Sequence, residues 1–311
     1  MAMQTQMGDA KFCLIIFSTL LCLTNCTKSD DVQEDSTEEY EEIKVMTYNI
    51  LYSTSNDQTL KTIRETNADI IGLQEASQAR IIELAQNLHY KFYLIPESSG
   101  NFGANDTGIL SRFPITRFLK DGVVVQVNPE LEVAIFTVHL SPYPYEPYDF
   151  RDGVITTPQQ AITSASETRL PEINPVLEQI QEIKTENIPV FLTGDFNEPS
   201  HLDWTETTAS HNMHFNQVVE WPVSKAIAAV DLKDAYRMKF ENAANFPGNT
   251  WTTFESDDEV YDRIDIIYHS EETKLSLFDV RLVGGTTNTA GIKVDGYASD
   301  HYAVMATYKL N

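Results

Sequence analysis

The centre of the chain contains the run Ile188-Pro189-Val190-Phe191-Leu192-Thr193-Gly194-Asp195-Phe196-Asn197, around which the other elements can be arranged. A continuous apolar run of this length is typical of a strand that is buried on both faces. Strand side chains alternate with period two, so Asp195 and Asn197 are predicted to point the same way where the strand ends. The simpler alternative is an ordinary strand-to-turn exit, in which Asp and Asn serve turn chemistry alone.

Several other predicted strands also end on, or begin just after, polar side chains. The first strand, Ile43–Asn49, alternates apolar and polar residues and ends on an amide, and the buried run 68–75 ends on a carboxylate. Over the whole chain these positions are Asn49, Glu75, His139, Asp195, Asn197, Asp265, Asp300 and His301. A single residue of this kind is more often a satisfied surface or core residue than a catalyst, but together they indicate a site.

The residue types in this set favour a hard divalent cation and proton transfer. Magnesium is usually held by one or two carboxylates together with water, which Glu75 and Asp300 could supply. His139 and His301 supply imidazoles, the side-chain type best suited to proton transfer near neutral pH, and a carboxylate such as Asp265 can orient an imidazole. No cluster of histidines suited to zinc occurs in the sequence.

The remaining pattern predicts alternating helices and strands at first, and then a series of short strands. Helices are predicted at 57–66, after Ser77, at 173–183 and at 232–240, with a helical turn at 201–204. Further strands are predicted at 92–95, 107–110, 118–125, 131–140, 249–254, 261–268, 275–283 and 302–308. The aromatic, proline-rich segment Ser141–Phe150 is predicted to be a loop that either lines a pocket or packs onto the core as a lid.

The N-terminus has the pattern of an export signal. Lys11 precedes an uncharged stretch, Phe12–Leu23, which is too short for a bilayer span of roughly 20 residues. The stretch ends in Leu23-Thr24-Asn25-Cys26, which resembles a bacterial lipobox, so residues 1–25 are expected to be a lipoprotein signal peptide and Cys26 the lipidated first residue. A cleaved signal with an incidental cysteine is the alternative. The other cysteines, Cys13 and Cys22, also lie in this leader, so no disulfide is expected in the mature domain.

An acidic tether, residues 26–42, is expected between the leader and the domain. Residues 27–42 carry eight acidic side chains against Lys28, which is a composition typical of a solvated segment. They account for −7 of the formal net charge of −24, and the neutral residues 1–26 leave −17 on residues 43–311. With 42% hydrophobic residues in the chain, this part is expected to form one large domain.

Six short motifs resemble those of the endonuclease/exonuclease/phosphatase superfamily, which includes deoxyribonuclease I and bacterial sphingomyelinases. In order, they are Thr47-Tyr48-Asn49, Leu73-Gln74-Glu75, Val138-His139-Leu140, Gly194-Asp195-Phe196-Asn197, Arg263-Ile264-Asp265 and Ser299-Asp300-His301. The resemblance extends from about Ile43 to Leu310. It implies a four-layer α/β sandwich, with two mixed β-sheets packed face to face and helices outside. It also implies metal-dependent phosphoester hydrolysis with Mg²⁺ or Mn²⁺.

The resemblance also implies a role for each site residue. Glu75 would bind the cation, with Asn49 and Asp300 in or beside its shell. Asp195 would orient or deprotonate the attacking water, and Asn197 would hold a phosphate oxygen. His139 and His301 would flank the phosphoryl group, with Asp265 bracing His301 and Asp106 bracing His139.

The substrate is the least determined of these expectations. Nonspecific binding of a polynucleotide depends on Lys and Arg side chains that neutralise phosphates, but the domain carries −17 and has no basic run. A small or lipid- or glycan-linked phosphoester is therefore favoured, and the aromatic residues Tyr143, Tyr145, Tyr148, Phe150 and Trp204 would suit a sugar or headgroup. An extracellular magnesium-dependent nuclease and a non-catalytic surface binding module are the alternatives. The protein is expected to be a monomeric cell-envelope lipoprotein, attached to the membrane through Cys26 on a periplasmic or surface face.

Overall fold

The structure is a computed structural model that describes residues 41–96, 102–271, 274–286 and 291–311. The expected signal peptide, residues 1–25, and Cys26 lie outside the described residues, as does the tether apart from residues 41 and 42. The first strand begins at Glu42, one residue before the expected start of the domain.

One mixed sheet contains seven strands. They are β1 (Glu42–Asn49), β2 (Ile70–Gln74), β3 (Lys91–Leu94), β4 (Gly108–Ser111), β11 (Leu275–Gly284), β12 (Ile292–Lys293) and β13 (Ala303–Leu310), in the order β12-β11-β13-β1-β2-β4-β3. β1 pairs with β2 in parallel and with β13 in antiparallel orientation. The ends of β1 and β2 and the start of β13 therefore lie at the same edge of the sheet.

The other mixed sheet contains six strands. They are β5 (Ile115–Phe118), β6 (Gly122–Asn128), β7 (Leu131–His139), β8 (Val190–Asp195), β9 (Leu232–Asp234) and β10 (Asp265–Ser270), in the order β5-β6-β7-β8-β10-β9. β7 and β8 are parallel, with His139 opposite Asp195, and β10 runs antiparallel to β8, with Asp265 opposite Asp195. Three of the expected site residues are thus neighbours across one end of this sheet.

The two sheets pack face to face through aliphatic side chains. Val45 and Ile70 of the first sheet and Val125, Ile135 and Phe191 of the second belong to one buried cluster. Each such side chain contributes roughly 1.5–3 kcal/mol when it is fully buried, so this layer is a large source of stability.

Towards the site, the contact between the sheets becomes closer and more polar. A Cβ at Gly72 would lie 2.1 Å from Thr193 Oγ1 and 2.5 Å from Thr137 Oγ1. Gln74 donates to Thr137 Oγ1 at 2.9 Å, which ties the end of β2 to β7. Glycine at position 72 therefore allows the strands that carry the site to approach each other.

Helices cover both outer faces of the sheet pair. They are α1 (Asn56–Thr66), α2 (Gln78–Leu88), α3 (Glu146–Arg151), α4 (Pro158–Lys184), α5 (Glu206–Ser210), α6 (Pro222–Ala229) and α7 (Ala235–Lys239). α1 and α2 bury Leu60, Ile63 and Leu84 against the first sheet, and α4 and α6 bury Ile180 and Ile227 against the second. The predicted four-layer α/β sandwich is confirmed. No helix in the described part of the chain combines the length and the apolar character that crossing a bilayer requires.

The prediction for one proline-containing segment was wrong, and that for another gave a correct helix that was too short. The segment 141–150 is not entirely a loop, because α3 begins at Glu146 and places Pro147 in its first turn. Proline is tolerated there because the first helical N–H groups have no partner within the helix. The helix predicted at 173–183 is the second half of α4, which begins with a capping box at Thr157 and contains Pro171 and Pro175.

Four other predicted elements also differ from the structure. The single strand predicted at 118–125 is a hairpin, since Leu119 N donates to Gly122 O where β5 turns into β6. Leu232 lies in β9 rather than in the helix that follows it, whereas the turn predicted at 201–204 is present, with Trp204 N donating to Ser200 O at 3.4 Å. The segment 249–254 forms only isolated bridges, from Trp251 to Asp262 and His301, and β10 begins at Asp265 rather than at 261.

Candidate active site

The edge where the two sheets meet contains one cavity of about 380 Å³, which brings the predicted site residues together. Six of them line it, namely Glu75, His139, Asp195, Asn197, Asp300 and His301. Asn49 and Asp265 are 0% and 1% exposed and lie directly behind this lining, where they hydrogen-bond to it. All eight residues therefore form one constellation at the strand ends.

Asp195 lies at the centre of this constellation. Its Oδ2 atom accepts a hydrogen bond from Asn49 Nδ2 at 3.0 Å and lies 3.7 Å from His139 Nε2 and 3.8 Å from His301 Nε2. Its Oδ1 atom accepts from the backbone N of Asn197 at 3.0 Å. One carboxylate oxygen thus faces both imidazoles, in a position where it can orient a small nucleophile between them.

His301 and Asp265 form a buried pair. Nδ1 of His301 lies 2.8 Å from Asp265 Oδ2, which leaves Nε2 directed towards the cavity. Burial alone would lower the pKa of His301, but the nearby carboxylates of Asp265 and Asp195 outweigh it and raise this pKa. Burial raises the pKa of Asp265, and the charge of His301 opposes that shift. Asp265 therefore holds the His301 ring in place and favours its charged form.

His139 is held by packing against a glycine. A Cβ at Gly103 would lie 2.5 Å from the Cβ of His139 and 2.6 Å from its Nδ1, and Gly103 N donates to His139 O at 2.9 Å. The expected brace by Asp106 was wrong, because Asp106 Oδ2 accepts from the Tyr52 hydroxyl at 2.9 Å. Among the described residues, His139 Nδ1 has no hydrogen-bond partner.

Asn49 organises the carboxylates at the end of β1. Its Nδ2 donates to Glu75 Oε1 at 3.2 Å as well as to Asp195, while its Oδ1 accepts from Leu51 N at 3.1 Å. Asn49 therefore presents an amide donor to the carboxylates of the site, while its oxygen faces the backbone of Leu51. Glu75 has a left-handed backbone, with φ of 54°, and its Oε2 accepts from Tyr52 N at 3.2 Å.

Asp300 has a carboxylate oxygen that is still able to accept a contact from a ligand in the cavity. Its backbone oxygen accepts from Thr253 N and Thr252 Oγ1, both at 2.8 Å, which fixes the loop before β13. Its Oδ1 is buried and, within the described ranges, has no partner. An unpaired buried carboxylate oxygen is costly, so a cation bound here together with Glu75 would satisfy it.

Asp195, Asp265 and His301 also have the spacing of metal ligands, since their candidate ligand atoms lie within 4.8 Å of one another. An ion there would have to share or replace the 2.8 Å contact between His301 and Asp265. An ion bound by Glu75 and Asp300 would leave the contact between His301 and Asp265 in place. The set of carboxylate oxygens suits Mg²⁺ or Mn²⁺, which prefer oxygen ligands.

The aromatic lining differs from the expectation based on sequence. Tyr145, Phe150 and Trp204 are only 5%, 8% and 0% exposed and belong to the protein interior, although Tyr145 reaches the cavity wall. Tyr143 and Tyr148 do line the cavity, and Tyr52, Phe102 and Trp251 join them. Sequence reasoning missed these last three because they come from separate loops. Only Tyr52 and Trp251 had a local signal, since each lies within three residues of a motif or a predicted strand end.

The fold resembles several solved structures at low sequence identity. TDP2 of D. rerio, crystallised with a single-strand DNA product, matches with a TM-score of 0.53 and 15% identity, over 87% of this chain and 100% of that one. The endonuclease/exonuclease/phosphatase of Beutenbergia cavernae matches with a TM-score of 0.53 and 19% identity, over 88% and 72%. A family protein of Bacteroides thetaiotaomicron matches with a TM-score of 0.53 and 15% identity, over 87% and 98%.

Sequence comparisons agree with the fold. An uncharacterised protein of Caenorhabditis elegans is 28% identical over 94% of this chain and 98% of its own length. The profile of the endonuclease/exonuclease/phosphatase family matches residues 46–301, which include all the site residues. Enzymes of this family are phosphoester hydrolases that depend on divalent metal ions. The chain therefore belongs to the endonuclease/exonuclease/phosphatase family.

Proposed function

We propose that this protein is a metal-dependent phosphoester hydrolase. The observation that supports this most strongly is the position of Asp195 Oδ2, which faces the Nε2 atoms of His139 and His301 at 3.7 and 3.8 Å. Phosphoryl transfer is governed by positioning and by stabilising charge on the transferred oxygens. A carboxylate between two imidazoles meets both needs, which a surface binding module would not have.

Asp195, His301 and Asn197 each have a distinct role in the proposed reaction. Asp195 orients the attacking water and accepts its proton, since its Oδ2 reaches the space between the imidazoles. His301, held by Asp265, stabilises negative charge on the phosphoryl oxygens because its charged form is favoured. Asn197 has one amide hydrogen bonded to Leu140 O at 3.0 Å, which leaves the other for a phosphate oxygen.

Glu75 and Asp300 would hold the metal ion, with Asn49 orienting Glu75 from behind. Bound Mg²⁺ or Mn²⁺ would supply Lewis-acid polarisation of the phosphoryl group and help to align it. The unpaired Oδ1 of Asp300 supports this assignment.

The substrate we propose is a small or lipid- or glycan-linked phosphoester. The net charge of −17 on residues 43–311 opposes long-range attraction of a polyanion. The described residues of the cavity lining include no Lys or Arg. The second candidate is a nuclease, which is favoured by the similarity in fold to a DNA-bound TDP2.

A substrate panel separates these candidates. With Mg²⁺, the full chain is expected to turn over a lipid or sugar phosphodiester, such as sphingomyelin or a glycosyl phosphodiester, faster than plasmid, single-stranded DNA or RNA. The measurement is initial rate at equal phosphoester concentration, with the Asp195→Ala variant as the blank. Rapid plasmid nicking that disappears in the His139→Ala variant would instead make the nuclease the better assignment.

We also propose that the protein is a cell-envelope lipoprotein attached through Cys26. The support is the short apolar stretch that precedes Leu23-Thr24-Asn25-Cys26 and the acidic segment after it. Stable anchoring needs more than one acyl chain, as a lipidated N-terminal cysteine would provide. Wild-type protein is expected in the membrane fraction and Cys26→Ala protein in the soluble fraction. Equal fractionation of the two would refute the anchor.

A further inference from the structure

The cavity is lined by polar residues and by aromatic residues that come from different elements of the fold. Its carboxylates and imidazoles lie at the strand ends, whereas Tyr52, Phe102, Tyr143 and Trp251 come from loops and Tyr148 from α3. Three of these rings are well exposed, Tyr52 at 52%, Phe102 at 57% and Tyr143 at 71%. Large apolar side chains left exposed beside a site are typical of ligand contacts rather than of folding.

Trp251 is held rigidly beside the reacting groups. Its ring centroid lies 4.8 Å from that of His301, and its Nε1 donates to Tyr148 Oη at 3.0 Å and to Glu259 at 3.2 Å. The backbone on either side is also fixed, because Tyr302 N donates to Thr250 O and Thr253 N donates to Asp300 O, both at 2.8 Å. The indole is therefore a preorganised wall next to His301.

Phe102 and Tyr143 provide further aromatic surface. The Phe102 ring lies 5.8 Å from the His139 ring, nearly perpendicular to it at 86°. Tyr143 belongs to the segment before α3 and is not part of the buried aromatic cluster that contains Phe150 and Trp204. Each imidazole thus has an aromatic neighbour, and the space for a phosphoryl group lies beside both.

The lining of the cavity, as far as it is described, contains no Lys or Arg side chain. Two guanidinium groups contact aromatic residues of the lining from outside: Arg151 stacks over the Tyr148 ring at 4.5 Å and is paired with Asp152, and Arg80 donates to Tyr52 O at 3.1 Å. Neither arginine lines the cavity itself. A second phosphate on the substrate would therefore meet aromatic and acidic groups, with no Lys or Arg in the described lining to compensate its charge.

We infer that Trp251, Tyr143 and Phe102 form a specificity subsite for a ring, aryl or glycosyl, carried by a substrate with a single phosphoryl group. This inference rests on the proposed hydrolase function and adds the class of alcohol that is bound. The face of a sugar or aryl ring packs against an aromatic side chain over a large apolar area. A methyl group offers a much smaller contact area.

Direct binding of non-hydrolysable phosphonates tests the subsite without relying on turnover. Calorimetry with the full chain and Mg²⁺ compares phenylphosphonate and cyclohexylphosphonate with methylphosphonate. We expect the two rings to bind at least about tenfold more tightly, a difference of about 1.4 kcal/mol. Benzene-1,4-diphosphonate should bind no more tightly than phenylphosphonate, because the described cavity lining contains no Lys or Arg that could pair with the second phosphonate.

Two variants locate the effect in the subsite. Tyr143→Ala, at an exposed position, and Trp251→Ala should each reduce the ring-to-methyl preference to less than about threefold, and Trp251→Phe should retain most of it. Phe278→Ala, which removes a 51% exposed ring on β11 outside the cavity lining, is the matched control and should change nothing.

Four outcomes would overturn the subsite. They are equal binding of rings and methyl, a preference unchanged in both alanine variants, tenfold tighter binding of the diphosphonate, and tighter binding of single-stranded oligonucleotide than of phenylphosphonate. The last outcome would replace the ring subsite with a base-stacking groove. Ring preference in a protein that hydrolyses no phosphoester would refute the proposed hydrolase function while supporting the subsite.

Discussion

Replacing His301 with alanine is expected to lower kcat by between about 10² and 10⁴ while the protein stays folded. The change removes the imidazole that Asp265 holds at 2.8 Å and whose Nε2 faces Asp195 at 3.8 Å. It also leaves Asp265 buried without its partner, so some loss of stability accompanies the loss of turnover. The measurement is kcat for a phosphodiester with Mg²⁺, alongside a thermal unfolding curve.

The matched control is His211→Ala, which removes an exposed histidine at the end of α5. It should keep both kcat and the unfolding temperature. If the folded His301→Ala protein kept kcat within about threefold of wild type, general acid-base and charge-stabilising roles for this residue would both be excluded.

The second large expected effect is a loss of stability when Arg263 is replaced. Arg263→Ala is expected to reduce the free energy of unfolding by about 3–5 kcal/mol, because it removes the charged partner of the buried Asp234 and leaves the buried Asp203 paired with Arg237 alone. Arg263 is 2% exposed, and its Nη2 lies 2.8 Å from Asp203 and 2.7 Å from Asp234. Burial would lower the pKa of Arg263, but these two carboxylates raise it, in keeping with a permanently charged guanidinium.

Urea unfolding of the Arg263→Ala and Arg117→Ala variants compares the loss of a buried arginine with the loss of an exposed one. Arg117 pairs with Glu186 at 2.9 Å, but the two side chains are 40% and 44% exposed, so its loss should cost about 1 kcal/mol or less. Equal unfolding midpoints for the two variants would contradict the structural role given to Arg263. Arg263 lies two residues before Asp265, so this prediction also explains why the Arg263-Ile264-Asp265 motif includes an arginine that does not line the cavity.

The position of the site could be predicted from sequence because the signal was local. The polar residues at the strand ends, such as Asn49, His139 and Asp195, follow apolar runs directly, and parallel strands bring such ends to one edge. The two-sheet sandwich, in contrast, came from the resemblance of the motifs. The apolar pattern indicated strands and helices but did not say how the strands pair.

Other features depended on contacts between distant parts of the chain. Trp204 was expected at a substrate face, but it is 0% exposed and donates to Asp262 Oδ1 at 2.9 Å across 58 positions. Phe102, which does line the cavity, lies in a segment with no periodic pattern. Asp106 was expected to brace His139 and instead accepts from Tyr52, since the turn Ala104–Asp106 directs its side chain there.

The central claim is that hydrolysis depends on a divalent ion held by Glu75 and Asp300, and a metal titration tests it most directly. Full-length protein stripped with a chelator should be inactive on its best phosphoester and regain activity as Mg²⁺ or Mn²⁺ is added back. Glu75→Ala should need at least about tenfold more Mg²⁺ for half-maximal activity, since even groups that only support metal ligands affect affinity by about 10–100-fold. Full activity in excess chelator, or the same Mg²⁺ requirement in wild type and Glu75→Ala, would contradict the account.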